Sequence, residues 1–172
     1  MENDEIKIID VEIKEKVKRK ERNSRVITKE NKWKYDNINN EEELKILNEL
    51  NEDIRNENTE ILRSEIKKKL SGYKNQDMLK KKFNKDKFIN VEEVVKKLLE
   101  CKNVCLYCKE NAKIFYRYVR DIQQWSLDRI DNNYGHNRDN VEIACLKCNL
   151  RRKTIAPDKY ILTQEITKIK KI

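Results

Sequence analysis

The chain has 172 residues, 41% of them charged, with a mean hydropathy of −0.99 and a formal net charge of +9 at pH 7. That polarity argues against one dense core along the whole length, and no run of about 18 apolar residues exists to span a membrane. Residues 1–60 carry a net −4 and residues 61–172 a net +13, so the basic excess accompanies the cysteines; it suits a polyanionic partner, most simply nucleic acid, and equally a solvated lysine-rich surface.

Two glycines and one proline favour long helices over many tight turns. The acidic start, MENDEIKIID, has no signal-peptide profile, which leads to the expectation of an intracellular protein. In a reducing compartment five cysteines serve as metal ligands more readily than as disulfides.

Residues 1–40 are weakly patterned and read as an arm. Ile6, Ile9, Ile13 and Val17 have helical spacing, while Ile6 and Ile8 also fit a strand; Trp33 and Tyr35 suit anchoring onto the rest of the fold. Residues 41–71 read as helix, with a stripe of Leu47, Leu50, Ile54, Ile61 and Leu62 that breaks at Glu57 and Asn58, and with Ser71-Gly72 as its stop. Residues 73–88 are basic with interleaved Tyr73, Phe83 and Phe88, a composition that suits a phosphate backbone or a solvated connector. A helix over 91–101 is signalled by Asn90 as N-cap, by Glu93 at the capping-box position, and by Val94, Val95, Leu98 and Leu99 on one face. From 104 the pattern shortens: VCLYC as a tight knuckle, KIFYRYV and QWSLDRI as strand-like runs, NNYGHNRDN as a loop, VEIAC as a strand and LKCNLRRKT as the start of a helix.

Cys105-x2-Cys108 and Cys145-x2-Cys148 are two CxxC pairs. Each presents two thiolates to one ion, and together they complete a closed tetrahedral site, the mark of structural zinc. The 36 residues between the pairs leave room for a small functional unit. Cys101 lies outside the pairing and suits a small buried residue or a free thiol.

The ordered residues Asp128, Asn140 and Cys145-x2-Cys148-Asn149 resemble the HNH, or His-Me finger, nuclease family over about Cys105 to Thr154. The likeness is greatest to zinc-knuckle forms and to HNH proteins of large DNA viruses, which would place the chain in a host cytoplasm or nucleus. The residue patterns and the resemblance together give an α+β chain: a weakly structured arm at 1–40, a helical region at 41–89 that turns basic toward its end, a domain at 90–157 that the resemblance makes a zinc-stapled ββα-metal (HNH) unit, and an extension at 158–172. The resemblance implies a metal-dependent DNA endonuclease, with Asp128 and Asn149 holding Mg²⁺ or Mn²⁺ through oxygen and Asn140 bracing the loop. Substrate form stays open among duplex, branched and single-stranded, and a homodimer would suit paired cutting.

The departure is Arg129, where the family usually carries the histidine base. Arginine stays protonated and can clamp a phosphate but cannot take a proton. By elimination His136, the chain's sole histidine, becomes the candidate base, with phosphate contact or loop stabilisation as its alternative roles; Tyr134 and Asp131 are weaker substitutes. Nucleic-acid contacts are expected from Arg117, Arg120, Arg138, Arg151, Arg152 and Lys153, extended by Lys80, Lys81 and Lys82. Two other readings remain: a zinc-stapled binding module without cleavage, and a protein scaffold working through the acidic helix at 41–60.

Overall fold

The computed structural model describes residues 38–116 and 118–169, the last two by their backbone alone. Among the described residues, five helices and one antiparallel hairpin make a mixed α/β architecture. The expectations for the arm at 1–37, including Trp33 and Tyr35, and for Arg117 lie outside the described residues.

Asparagines start the first three helices. Asn39, Asn56 and Asn90 each cap with their side chains, and Glu42, Thr59 and Glu93 close reciprocal capping boxes. Each box satisfies two of the amide protons that a helix start leaves unpaired. They open α1 (Asn40–Asn51), α2 (Glu57–Leu79) and α3 (Val91–Glu100). The expected helix over 41–71 is thus two, parted at 52–56. Nor does α2 stop at Ser71-Gly72; it continues to Leu79. An exposed helical glycine costs only about 1 kcal/mol, and continuing carries Tyr73 and Asp77 to contacts with the hairpin.

The hairpin pairs β1 (Trp125–Arg129) with β2 (Val141–Cys145), in register Trp125↔Cys145, Leu127↔Ile143 and Arg129↔Val141. α4 (Leu146–Arg152) follows β2 without a linker, and α5 (Pro157–Ile169) ends the described chain. The strand–loop–strand–helix order anticipated from the sequence is present. Among the described residues of the strand-like run expected at 113–119, none belongs to a named strand. Lys113 forms an isolated bridge with Gln124, and the amides of Ile114 and Phe115 donate to the buried Glu43 carboxylate, both at 2.9 Å.

Both faces of β1 are covered. Lys69 of α2 lies over the Trp125 ring on one side, and α4 reaches Ser126 and Asp128 on the other. One core runs from Ile46 through Leu62, Val94, Phe115 and Leu127 to Tyr160, so no break in packing marks the boundary expected at 89/90. Among the described residues no helix is long and apolar enough to cross a membrane.

Candidate functional site

The knuckle Cys105–Cys108 and the β2–α4 junction bring the four cysteine sulfurs within 4.8 Å of one another. Cys105, Cys145 and Cys148 are buried and Cys108 half-buried. Cys108 Sγ and Cys145 Sγ are 3.8 Å apart, too far for a disulfide but matching the edge of about 3.8 Å in a tetrahedron with ~2.3 Å Zn–S bonds. Sulfurs this close cannot all ionise alone: hydrogen bonds from Cys145 and Cys148 push the Cys105 thiol down, and Cys105 pushes Cys145 and Cys148 up. A divalent cation removes the conflict by stabilising every thiolate at once. The four residues therefore fit a metal such as zinc, which would tie the 105–108 turn to the start of α4.

Asp128 sits one β-strand away and is 3% exposed. Its carboxylate is already engaged. Arg152 donates from Nε to Oδ2 at 2.5 Å and from Nη2 to Oδ1 at 2.7 Å, and the Tyr107 hydroxyl donates to Oδ2 at 2.5 Å. Arg152 is itself 1% exposed and further donates to the carbonyls of Ile155 and Arg129. It belongs to the interior, not to the basic surface where the sequence led us to expect it. A guanidinium meeting a carboxylate as a planar fork satisfies both groups in the dry interior. Asn149 faces β1 with its amide nitrogen, donating to Ser126 Oγ and the Leu127 carbonyl, both at 3.1 Å. Asp128 and Asn149 are thus neighbours across β1 and α4, and a permanent cation already engages both oxygens of Asp128. The donor set does not fit Mg²⁺ or Mn²⁺ as it stands.

The loop at 130–140 is tightly built. Asn140 Oδ1 accepts from the Asp131 amide at 2.9 Å, and its Nδ2 donates to the carbonyls of Asp131 and Gly135 at 2.9 and 3.0 Å, so Asn140 braces the loop. Asp77 of α2 clamps the loop's far side, accepting from the His136 amide at 2.6 Å and pairing with His136 Nδ1 at 2.9 Å. The imidazole stacks on Tyr73 with centroids 4.4 Å apart and is 3% exposed. Burial pushes its pKa below the usual histidine value; Asp77 pulls the other way, and Arg129 and Lys80 add to the depression. The groups His136 meets are Asp77 and Tyr73, not Asp128, which is the contact set of a loop-stabilising histidine.

The remaining expected cations differ in placement. Arg120, Arg151, Lys153, Lys80 and Lys81 are exposed, and Arg129 and Lys82 half-exposed. Arg138 is exposed but partly neutralised by Glu93 at 3.4 Å and tied to the Asp86 carbonyl. Two of these cations reach the loop with their side chains, Lys82 donating to the Asn132 carbonyl and Arg129 to the Tyr134 carbonyl at 3.3 Å, and the backbone of a third, Lys153, adjoins it, its carbonyl accepting from Asn132 at 3.2 Å.

Tyr107 and Asp77 escaped sequence reasoning. Tyr107 carried a signal, since it lies inside the first CxxC and any ion there fixes its backbone. Asp77 carried none, because its partner is 59 residues away. Comparison with protein-family models, curated proteins and solved structures finds no match to this chain.

Proposed function

We propose that the chain is a nucleic-acid-binding module, in which a metal-stapled ββα unit of HNH-like build presents the basic loop at 129–135, and that phosphodiester cleavage is not its activity. The observation that carries this reading is the engagement of Asp128 by Arg152 and Tyr107. A carboxylate so satisfied serves the interior, and removing either partner of such a pair is strongly destabilising. The cations Arg129, Lys82, Arg151 and Lys153 then act on phosphates as binding groups.

Metal-dependent endonuclease activity is the second reading. It is favoured by the adjacency of Asp128 and Asn149 across β1 and α4, and it requires Arg152 to release Asp128.

The test measures nucleic-acid affinity across a salt series and incubates supercoiled plasmid with Mg²⁺ or Mn²⁺. The proposal expects salt-dependent binding whose log–log slope flattens by roughly one unit for each phosphate-binding cation neutralised, as in an Arg151→Gln/Lys153→Gln variant. It expects intact plasmid with the natural chain and with Arg129→His. Nicking by the natural chain that Asp128→Ala abolishes installs the nuclease reading; salt-independent or absent binding refutes the nucleic-acid reading altogether.

A further inference from the structure

Tyr134 is 60% exposed, and Ile130 on the same loop is 42% exposed. Neither belongs to the core or to the residues packed against it. No hydrogen bond or ring contact to the Tyr134 side chain exists among the described residues, although its carbonyl accepts from Arg129. The loop that carries it is nonetheless tied down at several points. Asn140 braces it from inside, Asp77 clamps it at His136, Asp131 Oδ1 accepts from the Asn133 amide at 2.8 Å, and Lys82 and Lys153 tie to Asn132. Gly135 permits the clamp: a Cβ there would stand 2.5 Å from the Lys82 carbonyl and 2.7 Å from Asp77 Oδ2. A lone exposed aromatic on a loosely held loop means little. Here a braced backbone carries an unpartnered phenol ring in solvent, on a loop whose carbonyls accept from the side chains of Arg129 and Lys82 and whose Asn132 donates to the Lys153 carbonyl.

Resting on the nucleic-acid reading above, we propose that Tyr134 is a stacking platform for an unpaired nucleobase, and that the loop binds single-stranded nucleic acid in preference to blunt duplex. A duplex keeps its bases stacked on one another and offers a surface ring only phosphates and groove edges. A single strand offers free base faces beside phosphates that the three cations can take. The bracing matters because the backbone that carries the ring is already in place, so little backbone freedom is lost on binding.

The experiment titrates labelled homopolymeric DNA and RNA single strands and a blunt DNA duplex against the full chain and its Tyr134→Ala and Tyr134→Phe variants, at fixed salt and across a salt series. Tyr134→Ala is expected to weaken single-strand binding by roughly 5- to 100-fold, the range typical of losing one base–aromatic stack. Duplex affinity and the salt slope should stay unchanged, because no charge is removed. Tyr134→Phe should restore single-strand affinity, since the ring and not the hydroxyl stacks. The same pattern on DNA, on RNA or on both supports the proposal and identifies the backbone accepted. Equal loss on duplex and single strand, no loss with Tyr134→Ala, or failure of Phe to rescue overturns it while leaving the binding-module reading intact. Absence of binding to every nucleic acid overturns both.

Discussion

Replacing Asp128 with alanine separates a structural carboxylate from a catalytic one. In the folded chain Asp128 accepts two hydrogen bonds from Arg152 and one from Tyr107, and Arg152 is 1% exposed. Alanine leaves a buried guanidinium without its carboxylate, keeping the Ile155 and Arg129 carbonyls as acceptors among the described residues, together with a buried tyrosine hydroxyl. Leaving one ion of a buried pair unpaired costs about 3–5 kcal/mol, against a total stability of about 5–15 kcal/mol for a domain. At roughly 2–4 °C per kcal/mol for a chain of this size, the melting temperature should fall by about 6–20 °C. Urea unfolding followed by tryptophan fluorescence measures the same quantity, because Trp125 is buried on the same strand, β1. The double variant Asp128→Leu/Arg152→Met should recover most of the loss, because apolar groups of similar volume can replace a buried ion pair. A catalytic carboxylate behaves oppositely: its removal is neutral or stabilising without metal, and Mg²⁺ stabilises the natural chain but not the variant. An Asp128→Ala cost below about 1 kcal/mol, or stabilisation by Mg²⁺ confined to the natural chain, would refute the assignment of Asp128 to Arg152.

Elemental analysis should find one zinc per chain, and Cys145→Ser should abolish it together with cooperative unfolding, because structural zinc contributes about 10–16 kcal/mol in small zinc-finger peptides, as much as a whole domain's stability; metal-free protein that melts like the natural chain would contradict this. Glu43, 1% exposed with Oε2 unpartnered among the described residues, has its pKa raised to about 7 by burial. The folded state therefore holds a proton that the unfolded state releases at lower pH, so stability should fall as pH rises from about 4.5 to about 7, by up to about 3 kcal/mol. Glu43→Gln should remove that slope in urea titrations at several pH values. His136, with a depressed pKa, acts in the opposite sense, losing stability as pH falls below about 6.5, so its contribution should stand out once Glu43 is neutralised. The two glycines should diverge in thermal melts: Gly135→Ala drives a Cβ to 2.5 Å from the Lys82 carbonyl and should destabilise by about 1–3 kcal/mol, whereas Gly72→Ala meets nothing within 4 Å inside α2 and should stabilise by about 0.4–1 kcal/mol.

Local rules carried much of the fold into view from the sequence alone. The α3 helix, with its Asn90–Glu93 capping box, was legible because capping is an affair of four consecutive residues. So was the cysteine cluster, because CxxC spacing fixes two ligands within one turn. The hairpin followed from β-branched and aromatic runs flanking an Asn- and Gly-bearing loop. Where the local pattern misled, a distant partner had overruled a local preference. Ser71-Gly72 looks like a helix end, yet α2 passes through it because Tyr73 and Asp77 find partners on the hairpin. KIFYRYV looks like a strand, yet the Glu43 carboxylate, more than 70 residues away, takes two of its amides.

The candidate site divides the same way. Sequence order aligned Asp128, Asn140 and Asn149 and marked Arg129 as the departure, and it made His136 a base only by elimination. Tertiary packing decided what those groups do. It turned Arg152 inward onto Asp128, set His136 against Asp77 and Tyr73, and left Tyr134 in solvent. A carboxylate's role depends on which cation reaches it, and that is a property of three-dimensional neighbours 24 residues apart, not of the residues beside it in the chain.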